Sequence, residues 1–248
     1  VATDSAGNSS LQPVTLEIFD PNAPVFIPAY AWTSLFGTQS FDIGQAVDLD
    51  RDGSALVAGN IYFVDHESKQ RSFDYFVVKY LSDGTQAWSK RFGAEDNDLA
   101  HGITTGIVNE IYVTGVTASP ELYGQLNSGY QDFFLSKYTS DGVHLWTRLG
   151  GSSGEEIGYA TTISPDGYVY VAGSTTSDGG HQSNIGGKDI FVAKYTSGGD
   201  LIWHQLYGTD QDDVAFDIVA GPNSELFIAG FTDKDLNGER NLGESDGF

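Results

Sequence analysis

All four tryptophans of this chain stand in the same seven-residue context. Residues 31–37, 87–93, 145–151 and 202–208 each place an aliphatic residue before Trp32, Trp88, Trp146 or Trp203, and a glycine five positions after it. The tryptophans are 56, 58 and 57 residues apart. Self-similarity at so nearly fixed a period means a repeat architecture, in which each copy buries its apolar faces against the next.

Each copy reads as four short strands. The first holds the tryptophan (87–92) and the second follows an acidic turn (98–105). The third is an apolar run ending in glycine: Leu56-Val57-Ala58-Gly59, Tyr112-Val113-Thr114-Gly115, Tyr170-Val171-Ala172-Gly173 and Phe227-Ile228-Ala229-Gly230. The fourth begins at Asp74, Asp132 or Asp189 and ends in Lys-Tyr. A turn such as Ser82-Asp83-Gly84 then leads to the next tryptophan, and Asp-Gly between two alternating runs is a hairpin signal. Trp to third-strand Gly is 27 residues in every copy, and fourth-strand Asp to next Trp is 14 in the three measurable cases. Only Gly to Asp varies, at 15, 17 and 16, so the adjustable surface is one loop per repeat: 60–73, 116–131, 174–188 and 231–245.

Four-stranded units of this length predict an all-β chain, a β-propeller with blades near 31–86, 87–144, 145–201 and an incomplete 202–248. The 31 glycines suit its many tight turns. Tryptophan suits the space between blades, where its ring bridges two sheets and its N–H finds a carbonyl.

Taken together, Trp-x4-Gly, an acid ten residues past Trp (Asp42, Asp98, Glu156, Asp213), the apolar strand ending in Gly, and Asp-x-Phe-x-x-Lys-Tyr resemble the bacterial SBBP propeller repeat. The resemblance covers residues 31–248 and implies a propeller in a bacterial extracellular or surface protein, with no assigned catalytic residues. Residues 25–30 lack the strand that the pattern expects before Trp32, so the propeller region is expected to start at 25. Residues 1–24 differ: a strand end and turn through Asn8, an alternating Pro13-Val14-Thr15-Leu16-Glu17-Ile18, and a linker with Pro21 and Pro24. They resemble the last strands of a bacterial Ig-like domain, with an exit similar to a shortened cadherin linker that lacks the full calcium motif.

A formal charge of −22 argues against nucleic acid as a partner. There is no Cys, hence no disulfide or thiolate metal site. No apolar run approaches the ~18 residues of a membrane span. With no Met and both ends in mid-pattern, the chain is expected to be an internal fragment of something longer.

Asp48-Leu49-Asp50-Arg51-Asp52-Gly53 spells half an EF-hand loop, but position 12, where a bidentate Glu is required, is Gly59. It is also similar to the calcium hairpins of integrin-type propellers, which need a later acid where Leu56 stands. A weak calcium site at Asp48, Asp50 and Asp52 is one expectation, and an ordinary acidic turn closed by Asp-Gly is the other. Acids that recur in every copy (Asp42, Asp98, Glu156, Asp213; Asp74, Asp132, Asp189, Asp246) are expected to serve the blade by accepting turn N–H groups, as are the Asn-x-Gly triplets at 127, 184 and 241. The five His and five Arg share no repeat position, so no catalytic relay or arginine cluster is argued. Ser82-Asp83-Gly84-Thr85 before Trp88 resembles a sialidase Asp-box and the tryptophan-docking turn of quinoprotein propellers, both read as convergent turn chemistry. The function expected is a non-catalytic surface or adhesion platform binding a protein or glycan through the variable loops. The runner-up is a polysaccharide hydrolase or lyase, which carboxylates and arginines converging on the central channel would favour.

Overall fold

A computed structural model describes residues 2–3, 9–10, 34–38, 40–64, 71–178 and 182–248. The chain divides into two units, Val1–Thr33 and Ser34–Phe248. In the first, β1 (Ala2–Thr3) pairs antiparallel with β2 (Ser9–Ser10). The rest of the Ig-like reading, with residues 25–30 and Trp32, lies outside the described residues.

The second unit is a run of four antiparallel sheets. The first holds β3 (Asp42–Leu49), β4 (Ala55–Val64), β5 (Arg71–Tyr80) and β6 (Gln86–Phe92). The second holds β7 (Asp98–Thr105), β8 (Ile111–Thr117), β11 (Asp132–Tyr138) and β12 (His144–Gly150), with a small hairpin of β9 (Glu121–Leu122) and β10 (Gln125–Leu126) in its variable loop. The third holds β13 (Glu156–Ile163), β14 (Val169–Thr175), β15 (Asp189–Tyr195) and β16 (Leu201–Tyr207). The fourth holds β17 (Asp213–Ala220), β18 (Leu226–Thr232) and β19 (Asp246–Gly247). Strands pair with their sequence neighbours, and β3, β7, β13 and β17 touch one another in succession, which puts them innermost. This is a β-propeller arrangement.

The blade frame differs from the sequence reading by one strand. The strands of Trp88, Trp146 and Trp203 are each the outermost strand of the sheet that precedes them, paired with the Lys-Tyr strand through a short hairpin closed by Asp-Gly or, in the third blade, Gly198-Gly199 (β5 with β6, β11 with β12, β15 with β16). The blades therefore start at the recurring acids Asp42, Asp98, Glu156 and Asp213, not near 31, 87, 145 and 202. The physical reason is turn chemistry, since the links 81–85 and 93–97 on either side of the tryptophan strand are equally long. Leu81 N–H donates to the Thr85 carbonyl and Gly84 N–H to the Leu81 carbonyl, with Gly84 at φ 85°, which closes a hairpin and pairs the strands it joins.

The cores lie between sheets. Strands β8, β11 and β14 are buried along their whole length, on both faces. One cluster joins Tyr75 and Phe92 of the first blade to Ile103, Phe134 and Tyr138 of the second. Others join the second to the third and the third to the fourth. Trp88 and Trp146 are half-buried rather than fully buried, at the rim of these clusters. Trp88 Nε1 donates to the Ser140 carbonyl, 3.2 Å away in the next blade, and its ring lies 3.0 Å from where a Cβ on Gly142 would be. The ring of Trp146 faces Gly199 at 3.1 Å in the same manner. Gly142 and Gly199 hold φ of 70° and 90°, so the turn needs glycine twice over, for its backbone and for the ring that docks on it.

A bulge interrupts every innermost strand at the same place. The register shifts between Gly44/Ala46, Ala100/Gly102, Gly158/Ala160 and Ala215/Asp217. Opposite each bulge stands the glycine that closes the apolar strand, and a Cβ on Gly59, Gly115, Gly173 or Gly230 would lie 2.1, 1.8, 1.8 or 1.9 Å from a carbonyl oxygen across the ladder. The recurring glycine is thus the partner of a recurring bulge.

Candidate functional site

At one end of the propeller, each recurring acid ties down the turn before it. Asp42, Asp98, Glu156 and Asp213 accept the backbone N–H of Thr38, Ala94, Ser152 and Thr209, four residues earlier in each case. Asp132, Asp189 and Asp246 accept those of Ser128, Ile185 and Leu242. The Asn-x-Gly triplets close the same loops: the side-chain oxygens of Asn127, Asn184 and Asn241 accept from the N–H of Gly129, Gly186 and Gly243. Their amides donate to the carbonyls of Thr117, Thr175 and Thr232. Turn chemistry accounts for all of these contacts.

Two acids from adjacent blades meet across Gly151, the glycine that follows β12. A Cβ on Gly151 would sit 2.3 Å from Asp132 Oδ1 and 2.6 Å from Glu156 Oε2. Asp132 is 1% exposed and its Oδ1 has no hydrogen-bond partner among the described residues. Burial raises its pKa most, the Ser128 N–H opposes this, and Glu156 raises it further. Asp74 is pushed up to about 6 by burial, with Arg91 pulling it down and Asp98 pushing it up. Asp98 and Asp189 are also raised, in each case chiefly by burial.

A carboxyl with a raised native pKa contributes stability that is present below its unfolded value and lost as pH rises through its folded value. Thermal stability is therefore expected to increase as pH falls from 7.5 through 6 towards 5. It should turn over near the ordinary carboxyl value of about 4, because Asp50 and Glu110 are held below theirs and the unfolded chain then takes up protons that the folded one does not. Asp132→Asn keeps an oxygen for Ser128 and offers Glu156 an N–H. At pH 7.5 it is expected to stabilise by about 1–2 kcal/mol in urea denaturation, a gain that shrinks at pH 5. Destabilisation at both pH values would show that the two carboxylates do not oppose one another.

The Asp48, Asp50 and Asp52 carboxylates sit at the opposite end and go to separate partners. Asp48 Oδ2 accepts from the Thr105 N–H at 2.7 Å in the next blade. Asp52 Oδ2 accepts from the Asn109 amide at 2.9 Å, also across the blade boundary. Asp50 is buried, accepts from the N–H groups of Asp52 and Ser54, and pairs with Lys79 Nζ at 2.8 Å. Among the described residues, no group of three or more His, Asp or Glu converges as a metal shell.

Lys79 has two counterparts in register, one of which makes the same ion pair. Lys137 Nζ pairs with Glu110 at 3.0 Å. Lys194 lies 3.8 Å over the Tyr168 ring, and its pKa is raised by a hydrogen bond with Tyr170 first and also by Asp166. The lysine is fixed, whereas its partner moves along the inner turn from Asp50 to Glu110 and, in the third blade, gives way to the Tyr168 ring. That drift hides the pairing from a position-by-position reading of the repeat.

Side chains at the bulges of three neighbouring innermost strands meet as a chain of rings. His101 and Tyr159 are 5.4 Å apart between centroids, and Tyr159 and Phe216 are also 5.4 Å apart. Burial lowers the pKa of His101, which keeps it neutral near pH 7. The variable loops hold apolar groups outward. Leu126 and Tyr130 are each 73% exposed, Ile185 is 66% exposed and Leu242 is 85% exposed.

Between the second and third blades lies a cleft of about 810 Å³, with Phe133, Arg148, Gly150, Glu156, Tyr195 and His204 among its lining. Arg148 straps the boundary, its Nε donating to the Gly199 carbonyl at 2.8 Å and its guanidinium lying 5.4 Å over Trp146. Lys90 does likewise one blade earlier, donating to the Asp141 carbonyl at 2.7 Å.

No protein-family model matches the chain. The regulatory protein FlaEY of Caulobacter vibrioides is 30% identical over 157 residues, covering 58% of this chain and 16% of that protein. An uncharacterized WD repeat-containing protein of Acanthamoeba polyphaga mimivirus is 20% identical over 261 aligned positions, covering 82% and 19%. The chain thus spans less than a fifth of the length of these curated relatives. Among solved structures, the Pan2 WD40 domain of Neurospora crassa aligns with a TM-score of 0.43 at 10% identity, covering 83% of this chain and 50% of that one. A luciferin-regenerating enzyme aligns with a TM-score of 0.39 at 8% identity, covering 76% and 69%.

Proposed function

We propose that this propeller is a non-catalytic binding platform of a bacterial extracellular or surface protein, which holds a protein or glycan partner on its variable loops. The observation that carries this reading is the outward display of Leu126, Tyr130, Ile185 and Leu242 on loops tied down at both ends by Asn and Asp side chains. Apolar groups held out on a rigid frame keep the entropic cost of contact low, and they make poor surface for any other purpose. The likeness of the repeat to the SBBP pattern supports the extracellular setting. The runner-up, a polysaccharide hydrolase or lyase, would be favoured by carboxylates and arginines on the innermost strands. The rings of His101, Tyr159 and Phe216 that meet there favour binding instead.

Replacing Leu126, Tyr130, Ile185 and Leu242 together by Ser tests the platform. Urea stability is expected to stay within about 1 kcal/mol, since exposed side chains away from the core contribute little. Retention of chain-coated beads on immobilised polysaccharides and on bacterial cells should drop at least tenfold. Equal retention with the fold intact would place the contact surface elsewhere.

A further inference from the structure

The cleft between the second and third blades arises where two residues depart from the repeat together. At the preceding boundary, Phe92 of β6 fills the space between blades, with its centroid 5.5 Å from Tyr75 and 4.5 Å from Tyr138. The hydroxyls of Tyr75 and Tyr138 meet at 2.5 Å, so the second blade's tyrosine is satisfied inside the protein. Position four after the tryptophan is aromatic in three copies, Phe36, Phe92 and Tyr207, but it is Gly150 in the fourth. The Tyr75 position is Phe133 in the next blade, which lacks the hydroxyl. Tyr195, the counterpart of Tyr138, is 3% exposed and stands on the lining of the cleft, and the Phe133 position offers it no hydroxyl. One boundary therefore holds a ring and a hydroxyl that the other lacks.

We propose that this cleft binds a neutral phenolic ring, which packs beside the Phe133 ring that stands where a side chain at Gly150 would begin, and hydrogen-bonds the Tyr195 hydroxyl. The walls suit such a guest. Phe133 offers an apolar face, and its ring is already fixed by stacking on Phe191 at 4.5 Å. Arg148 and Glu156 stand on the lining with opposite charges, and each is already engaged: Arg148 by the Gly199 and Thr147 carbonyls, Glu156 by the Ser152 N–H and the Thr175 hydroxyl. His204 is kept neutral near pH 7 by burial, against the pull of Glu156. Asp178 and Asp200 also stand on the lining, so acids outnumber the one cation, and a neutral ring with one hydroxyl fits better than an anion. The volume of about 810 Å³ admits it with room for whatever carries the ring.

The test is titration of the isotopically labelled chain with p-cresol, toluene and N-acetyltyrosinamide, read by amide shifts around Tyr195 and His204. p-Cresol is expected to saturate with a Kd of ~0.1–1 mM, in keeping with its size. Toluene should bind at least tenfold more weakly, because it leaves the Tyr195 hydroxyl unpaired. Tyr195→Phe should erase the difference between the two. Phe133→Tyr, which restores the internal hydroxyl partner, should weaken p-cresol at least fivefold while leaving the fold intact. If N-acetyltyrosinamide binds as well as p-cresol, the natural guest is a tyrosyl side chain of a partner; if it does not bind while p-cresol does, the guest is a free phenol. No saturable shift with p-cresol at about 10 mM would overturn the proposal. So would equal affinity for toluene, or unchanged p-cresol binding in Tyr195→Phe.

Discussion

Gly115→Ala is expected to destabilise the propeller by on the order of 3–5 kcal/mol, the upper range for overpacking a site that cannot yield. The added Cβ would lie 1.8 Å from the Leu99 carbonyl oxygen and 2.8 Å from its carbonyl carbon. Both atoms are backbone, in a strand paired on one side and packed against neighbouring blades on the other, so no rotamer change relieves the clash. The same substitution at Gly53 meets nothing within 4 Å and incurs only its positive φ of 77°, about 1–2 kcal/mol. Urea denaturation of the two variants side by side checks the argument. Equal losses would mean that the glycine serves backbone conformation rather than the bulge.

Trp88→Ala is expected to cost about 3 kcal/mol, the low end for a large aromatic because the ring is half-buried. The loss has three parts: packing against the first interblade cluster, the Nε1–H bond to Ser140, and the base on which Lys90 reaches the Asp141 and Gly142 carbonyls. Trp88→Phe retains most of the packing and gives up the hydrogen bond, so about half the loss is expected, with a hydrogen bond worth roughly 1 kcal/mol. A Trp88→Ala variant within about 0.5 kcal/mol of wild type would remove the tryptophan from any role in joining blades.

The repeat was legible because its period is written in residues that cannot substitute for one another. Only tryptophan spans the boundary and donates to Ser140, and only glycine fits opposite a bulge. Strand positions followed from the same markers. The blade frame differs although a signal is present: the links on the two sides of each tryptophan strand are equally long, but only the one before it carries Gly84, Gly142 or Gly199, whose positive φ closes a hairpin within one sheet. Pairing of Lys79 and Lys137 with acids is not legible, because the acid changes position in the turn while the contact stays in place. The Asp48–Asp52 acids read as one cluster in sequence, but alternation and the turn send them to Thr105, Lys79 and Asn109. The cleft had a sequence signal, Gly150 where the other copies carry Phe36, Phe92 and Tyr207. It gains meaning only once Tyr75, Phe92 and Tyr138 are seen to meet across a boundary.

Each tryptophan strand is hydrogen-bonded to one sheet while its ring docks on the next, so the unit that is copied and the unit that folds are cut in different places. A chain shortened after Gly151 keeps two whole sheets and presents Trp146 with nowhere to dock. One shortened after Val143 loses that ring and also strips the second sheet of its outer strand, exposing the edge of β11. Anyone dissecting or splicing such an array would do better to divide it between glycine and acid than at the tryptophan that announces the repeat.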